Sequence, residues 1–311
     1  MAVLPAGDDE NLLVGLDAPD DAAVYALGDG RVLVASVDFF TPVVDDAEDF
    51  GAIAAANALS DLYAMGAVPA FALSVLAVPA ATLPPEVVTG ILRGAAAACD
   101  EAGIVIAGGH SIDDNEPKFG LVALGFADAE RLYRKSGARP GDAIVLGKAL
   151  GTGIVATALK RDAADGPTVR AAVRSMRQLN RDAAGLLEGH DVHALTDVTG
   201  FGLLGHLREI CAASDVSAHV MASAPRVLPD ALELAATGFV PGGSARNREA
   251  IDRIAEWEPG LDEGLRTLLC DAQTSGGLLA CVPKHEASEL AAEWEAAGYA
   301  ASVVGRIVEP S

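Results

Sequence analysis

Residues 22–27 and 31–37 are short, mostly apolar runs on either side of a turn, which predicts two strands. Gly28-Asp29-Gly30 between them predicts a hairpin turn. The second strand runs into Asp38, so antiparallel pairing brings Asp21 and Asp38, at opposite strand ends, close together. Residues 50–65 carry helical spacing with an Ala-rich face, and Asn57 and Asp61, four apart, share one side. An acid on such a helix either points to solvent or, beside Asn57 and Ser60, lines a site; the pattern leaves both open. A strand over 69–77, a long helix over 84–102 and a short buried strand over 104–107 follow. That strand ends in a loop, Gly108-Gly109-His110-Ser111, which suits either a plain connection or close approach to a ligand. A further strand covers 119–126.

Residues 127–141 are polar and carry Arg131, Arg134, Lys135 and Arg139, which marks a linker. Beyond it the pattern predicts helices over 153–160, 168–187, 202–212, 245–257, 263–270 and 285–297. Strands are predicted over 143–147, 193–196, 277–282 and 301–307. Residues 1–20 are acidic with little periodicity, and 15–21 read as a turn. Strands alternating with helices predict an α/β or α+β fold in two domains, 1–137 and 138–311.

One stretch concentrates candidate chemistry: Thr196-Asp197-Val198-Thr199-Gly200-Phe201-Gly202-Leu203-Leu204-Gly205-His206. An acid in a Thr-flanked turn precedes glycines and a helical apolar run. A carboxylate beside a helix N-terminus binds phosphate only through a cation, so one reading is a metal–phosphate site. The other is an Asp or Thr cap on a buried helix. Asp21, Asp38, Asp61 and Asp197 all lie at or near element ends. Magnesium takes oxygen ligands and bridges carboxylates to phosphate oxygens, and each of these acids could serve it.

Composition narrows the classes. The 311 residues carry 22 basic and 44 acidic side chains, a net charge of −22, which argues against nucleic acid and anionic membranes as partners. Such acidity suits a saline cytoplasm or a GC-rich genome. The four cysteines, Cys99, Cys211, Cys270 and Cys281, form no CxxC pair and read as buried, reduced thiols of a soluble cytoplasmic protein. Residues 141–149 miss the P-loop spacing by one residue and carry Ala149 where a magnesium-binding hydroxyl belongs. Gly151-Thr152-Gly153-Ile154-Val155-Ala156 matches a dinucleotide pattern but lacks the acid about 20 residues on. Zinc and a Ser-His-Asp nucleophile find no suitable spacing. Asp271-Ala272-Gln273-Thr274-Ser275-Gly276-Gly277-Leu278 reads by itself as a structural turn.

From Asn11 onward the chain resembles the selenophosphate synthetases (selenide, water dikinases). The resemblance rests on Asn11-Leu12-Leu13-Val14-Gly15, Asp20-Asp21-Ala22-Ala23-Val24-Tyr25, Val37-Asp38-Phe39-Phe40-Thr41-Pro42 and Ala55 with Asn57-Ala58-Leu59-Ser60-Asp61. It continues through Ala107-Gly108-Gly109-His110-Ser111, the Thr196–His206 stretch, Val240-Pro241-Gly242-Gly243 and the segment from Asp271 to Leu279. The resemblance implies two domains like those of aminoimidazole ribonucleotide synthetase, an N-terminal one for ATP binding and dimerisation and a C-terminal α/β one. It implies a homodimer, with Asp21, Asp61 and Asp197 as Mg2+ ligands and Asp38 as a further metal- and phosphate-contacting acid. Gly108, Gly109, His110 and Ser111 match the nucleotide-contacting loop. The implied reaction converts ATP, selenide and water to selenophosphate, AMP and phosphate.

The family pattern also has a Gly-rich segment upstream of Asn11, with a Cys or selenocysteine and a nearby Lys. This chain has no Cys before Cys99 and no Lys before Lys118. The expectation is a true start further upstream, with a selenocysteine whose codon was read as a stop. The 311-residue chain is then expected to bind Mg–ATP while making little selenophosphate. Two other readings stand beside this one: another phosphotransferase or synthetase of the same superfamily, and a non-catalytic nucleotide-binding relative.

Overall fold

A computed structural model describes residues 9–16 and 20–310. The turn expected over 15–21 includes residues 17–19, and the acidic start includes 1–8; both stretches lie outside the described residues. The chain divides into two compact units, Met1–Arg134 and Lys135–Ser311.

The first unit contains, in order, β1 (Leu12–Val14), β2 (Ala23–Ala26), β3 (Arg31–Phe40), α1 (Ala47–Ala64), β4 (Val68–Val78), α2 (Pro85–Glu101), β5 (Ile106–Asp113) and β6 (Lys118–Asp128). Its six-stranded sheet has the order β1-β2-β3-β6-β4-β5, antiparallel except where β4 pairs with β5. The β2–β3 hairpin forms as the two strand-like runs and the Gly-Asp-Gly turn predict, with Gly28 and Gly30 both at positive φ. Asp46 starts α1 by accepting the Asp49 N–H. Thereafter the helix is buried on almost every side, because the sheet lies under it and α2 lies against it. Small residues permit that second contact. A Cβ on Gly51 would fall 1.9 Å from the Ile91 carbonyl oxygen, and one on Gly94 would fall 1.9 Å from that of Glu48. The Ala-rich sequence is therefore a close-packing device between backbones.

Two expectations for this unit change. The strand over 104–107 with a following loop is instead one strand, β5, running straight through Gly108-Gly109-His110-Ser111. It is exposed rather than buried, as the outermost strand of the sheet. Pairing with β4 supplies the backbone partners that a Gly-Gly sequence does not advertise locally.

The second unit contains β7 (Asp142–Leu146), α3 (Thr152–Leu159), α4 (Gly166–Arg177), α5 (Arg181–Leu186), β8 (Ala194–Asp197), α6 (Gly202–Ser214), β9 (Ser217–Val220), α7 (Ala231–Ala236), α8 (Gly242–Ile251), α9 (Glu263–Leu269), β10 (Leu278–Pro283), α10 (Ala287–Ala296) and β11 (Ser302–Val308). Its five strands form an antiparallel sheet of order β8-β10-β7-β11-β9. β7, β8 and β10 are buried along nearly their whole length, which explains their mostly apolar sequences.

The helix expected over 168–187 is broken at Gln178-Leu179-Asn180. There the Gln178 carbonyl accepts from Lys148 Nζ and the Leu179 carbonyl accepts from the Tyr299 hydroxyl. Asn180 Nδ2 meanwhile donates to the Gly276 carbonyl. Tertiary donors thus take over carbonyls that a continuous helix would use. The helix expected over 245–257 starts earlier, behind Pro241, and stops at Ile251. Trp257 folds back to donate to Asp252 Oδ1 at 2.8 Å, with Arg248 and Arg266 against its ring. The short β1, β9 and α7 were not anticipated. Cys99, Cys270 and Cys281 are buried as expected, whereas Cys211 is half-exposed; all four thiols are free.

Candidate active site

In the first unit the alternation of β3 sorts its side chains. Val32, Val34, Ser36, Asp38 and Phe40 face α1, and Leu33, Ala35, Val37 and Phe39 face away, as the buried positions and cross-element contacts show. Asn57 Nδ2 donates to Asp38 Oδ2 at 2.7 Å, and the Ser36 hydroxyl makes a short hydrogen bond to Asp61 Oδ2. Asn57 and Asp61 thus turn inward onto the strand, which settles the choice left open by the helical pattern. Asp21 lies two residues before the start of β2, and its carboxylate oxygen comes within 4.8 Å of one from Asp61. The structure therefore brings Asp21 and Asp61 together, with Ser36 orienting Asp61, whereas Asp38 is held by Asn57 on the same α1-facing side of β3 and is not among the closely grouped carboxylates. Burial raises the Asp38 carboxyl above its ordinary range, and the Asn57 amide opposes that rise. Closely placed hard carboxylate oxygens are the donor set that a small divalent cation takes. Ser36 is the one residue of this group that sequence reasoning missed, although its place two residues before Asp38 on the same strand face could have revealed it.

Gly108, Gly109, His110 and Ser111 lie on the exposed edge strand β5. Gly109 has φ +152°, and a Cβ there would fall 2.2 Å from both the carbonyl and the hydroxyl oxygen of Ser74. Only glycine fits, and its main chain is left open on the sheet edge.

In the second unit, Asp197 is the last residue of β8, paired with Leu278 of β10, and it is only 1% exposed. The cap reading of this stretch fails: the α6 cap is Phe201, with no side-chain hydrogen bond. The turn after Asp197 is held by its neighbours. Val198 N–H donates to the Gly277 carbonyl at 2.9 Å. A Cβ on Gly276 would fall 1.8 Å from the Val198 carbonyl oxygen, and one on Gly277 would fall 2.3 Å from the Lys148 nitrogen. The Asp271–Leu278 segment is thus the support of the Asp197 turn, beyond the simple structural turn read from its residues.

Lys148 is fully enclosed. Its Nζ donates to the Gln178 and Ser275 carbonyls at 2.6 and 2.9 Å. Burial pulls its ammonium down to about 7, against the opposing charge of Asp197. The N-terminus of α3, where the Gly151-Thr152-Gly153 pattern would seat a dinucleotide phosphate, is filled from within the protein. Asp271 Oδ2 accepts from Gly153 and Ile154 N–H, and Gln273 Oε1 accepts from Gly151 N–H, Thr152 N–H and the Thr152 hydroxyl. A carboxylate and an amide oxygen occupy the anion position, so that pattern has no dinucleotide to hold.

The fold and these acidic sites define a class. The AIR synthase related protein N-terminal domain matches residues 19–127, and its C-terminal domain matches residues 139–311. The fold is shared with thiamine-monophosphate kinase from Stenotrophomonas maltophilia K279a, with a TM-score of 0.71 at 23% identity over 97% of this chain and 90% of that one. It is shared also with the hydrogenase maturation protein HypE solved in complex with ATP, with a TM-score of 0.67 at 21% identity over 97% and 82%.

Within that class the relationship is specific. The chain is 47% identical to the selenide, water dikinase of Paraburkholderia xenovorans (strain LB400), over 96% of this chain and 84% of the relative. It is 45% identical to that of Pelobacter propionicus (strain DSM 2379 / NBRC 103807 / OttBd1), over 97% and 87%. The chain belongs to the selenide, water dikinase family, and it is a phosphotransferase enzyme.

Proposed function

We propose that this chain makes selenophosphate from ATP, selenide and water, releasing AMP and phosphate. Identity of 42–47% to selenide, water dikinases over 95–98% of the chain supports the reaction. On the molecule itself, the observation that carries the reading is the Asp21–Asp61 pair. Asp21, Asp38 and Asp61, with Asp197 of the second unit, are the residues to hold Mg2+. When bound, the metal neutralises triphosphate oxygens and so favours phosphoryl transfer.

The chain's own groups do the remaining work. Ser36 and Asn57 fix the Asp61 and Asp38 carboxylates in place, so these acids need no reorganisation when the nucleotide arrives. The open main chain of Gly108–Ser111 receives the nucleotide. Hydroselenide is a strong nucleophile and calls for no general base. The site has instead to keep water out of the first transfer while admitting it to the second. The two domains are read as 1–137, for ATP binding and dimerisation, and 138–311.

A second copy of the chain is the proposed partner. The sheet face of the first unit turned away from α1 presents Tyr25, Val37, Phe39 and Phe126, and Val37 and Phe39 are each more than half exposed. An apolar sheet face of this kind calls for a cover. Among the described residues no helix is long and apolar enough to cross a membrane, and the proposed compartment is the cytoplasm.

Release of AMP from ATP, followed with and without selenide across a Mg2+ titration, tests the proposal. AMP and phosphate formed only when selenide and Mg2+ are both present support it. Selenide-independent ADP formation, or no Mg2+-dependent binding of ATP, defeats it.

A further inference from the structure

His206 closes the Thr196–His206 stretch, and its side chain is buried on α6. Its Nε2 receives the main-chain N–H of Thr199 at 3.1 Å, with the Thr199 hydroxyl 3.3 Å away. An amide N–H can only donate, so Nε2 is the unprotonated nitrogen and Nδ1 carries the ring proton. Nδ1 faces Glu209 Oε2 at 3.6 Å, one turn along the helix, and that carboxylate is held by Lys135 Nζ at 2.9 Å. The Phe201 ring lies 5.6 Å from the imidazole, centroid to centroid. Burial, reinforced by the Lys135 charge, pushes the imidazole down to about 3, so the acceptor persists through the neutral range.

The Thr199 peptide is also gripped from its other side. Its carbonyl accepts from Gly202 N–H and from Gln273 N–H, both at 2.9 Å. Val198 N–H is bound to the Gly277 carbonyl, and Asp197 ends a ladder strand. The main chain just after Asp197 is therefore tied down donor by donor. Side chains add to these ties: the Thr196 hydroxyl donates to the Asp197 carbonyl at 3.2 Å and Asn247 Nδ2 to the Gly200 carbonyl at 2.9 Å, while His206 is the side chain that accepts the Thr199 N–H. Leucine or phenylalanine would fill the volume of an imidazole; what the position needs is a buried acceptor aimed at that N–H.

We propose that His206 is a positioning residue for Asp197: its Nε2 fixes the Thr199 peptide and thereby the direction in which the Asp197 carboxylate is presented to the metal–nucleotide. The kinetic part of this inference rests on the reading of Asp197 as a metal ligand; the clamp itself does not.

The test compares the full wild-type chain with His206→Gln, whose amide oxygen reaches the place of Nε2, and His206→Phe, which keeps a ring without an acceptor. Hydrogen exchange of the Thr199 amide, read by NMR on protein without ligands, is expected to be slow in wild type and in His206→Gln and fast in His206→Phe. The Mg2+ concentration for half-maximal selenide-dependent turnover is expected to rise about 10- to 100-fold in His206→Phe and to return close to wild type in His206→Gln. If His206→Phe fails to fold, His206→Asn, whose acceptor stops short of Thr199, is expected to show the same fast exchange. Continued protection of Thr199 in the Phe or Asn variant overturns the proposal. So does a glutamine variant as impaired as the phenylalanine one, or a loss of turnover that leaves the Mg2+ dependence unchanged. Where the wild-type chain lacks selenide-dependent turnover, the same Mg2+ shift is read from ATP binding by calorimetry; a wild-type chain without Mg2+-dependent ATP binding defeats the functional reading, while the exchange measurements still decide the clamp.

Discussion

Replacing Asp271 by asparagine isolates a conflict between burial and charge in the second unit. Asp271 Oδ2 accepts from Gly153 N–H at 3.1 Å, Ile154 N–H at 3.2 Å and Gln273 Nε2 at 2.9 Å, and Oδ1 accepts from the Ser244 hydroxyl at 2.7 Å. Four donors favour the charged form, yet desolvation outweighs them and pushes the carboxyl up to about 6 from an ordinary 3.8. Because the folded-state value lies above the unfolded one, the stabilising contribution is complete below about pH 3.8. It is lost as pH rises toward 6, where the unfolded chain ionises first and the folded one resists. One pKa unit is worth 1.36 kcal/mol, so the loss amounts to about 3 kcal/mol by neutral pH.

Asparagine keeps the shape. Its oxygen can take the three N–H donors, and its amide can donate to Ser244, whose oxygen already accepts Ala272 N–H and has a second lone pair. The variant therefore removes the pH-dependent cost and little else. Urea unfolding from about pH 4 to about pH 7.5, followed by tryptophan fluorescence, reads the second unit selectively, because both tryptophans, Trp257 and Trp294, belong to it. Wild type and Asp271→Asn are expected to be nearly equal at the acid end. The variant should gain about 3 kcal/mol relative to wild type by the neutral end. A difference constant within about 0.5 kcal/mol across the range, or one that grows in favour of wild type, would refute the assignment of burial as the dominant influence on Asp271.

Three further outcomes are expected. Asp61→Ala and Asp197→Ala each lower Mg2+-dependent nucleotide binding by about 100-fold in calorimetry, with the melting temperature nearly unchanged; retention of binding in either removes that residue from the metal role. Gly276→Ala drives a methyl group to 1.8 Å from the Val198 carbonyl oxygen and is expected to cost about 3 kcal/mol in urea unfolding, whereas a change under about 0.5 kcal/mol would show that the turn yields. Val37→Glu and Phe39→Glu place charges on the exposed sheet face and are expected to give monomers in sedimentation velocity; variants still sedimenting as dimers would show that the pairing surface lies elsewhere.

What the sequence disclosed and what it hid divide along a physical line. Period two and period 3.6 report which face of an element is buried, and that information is local. It was enough to place the β2–β3 hairpin, to put Asn57 and Asp61 on one side of α1 without deciding whether that side faces inward, and to give the mixed helix-and-sheet fold class. It was not enough for β5, because Gly108-Gly109 reads as a chain break, and only parallel pairing with β4, across the whole of α2, makes it a strand. Nor did it reveal the break at Gln178–Asn180, which depends on Lys148 and Tyr299, distant in sequence, reaching those carbonyls.

The site shows the same division. Asp38 and Asp61 stood out because carboxylates near element ends are chemically conspicuous. Lys148 and His206 did not, because a lone lysine in an apolar run and a histidine on a helix take their meaning from partners 30 or 7 residues away. The Gly151–Ala156 pattern makes the point from the other side. The glycines and the helix N-terminus that a dinucleotide would use are all present, and they were discounted only because a later acid was missing. The deeper reason is spatial: Asp271 and Gln273, more than 110 residues further on, already supply the oxygen atoms that the helix end would otherwise seek in a ligand. A phosphate-binding pattern is thus defined as much by what the rest of the chain leaves open as by its own glycines. That criterion favours the open main chain of Gly108–Ser111, rather than the filled end of α3, as the nucleotide site we propose.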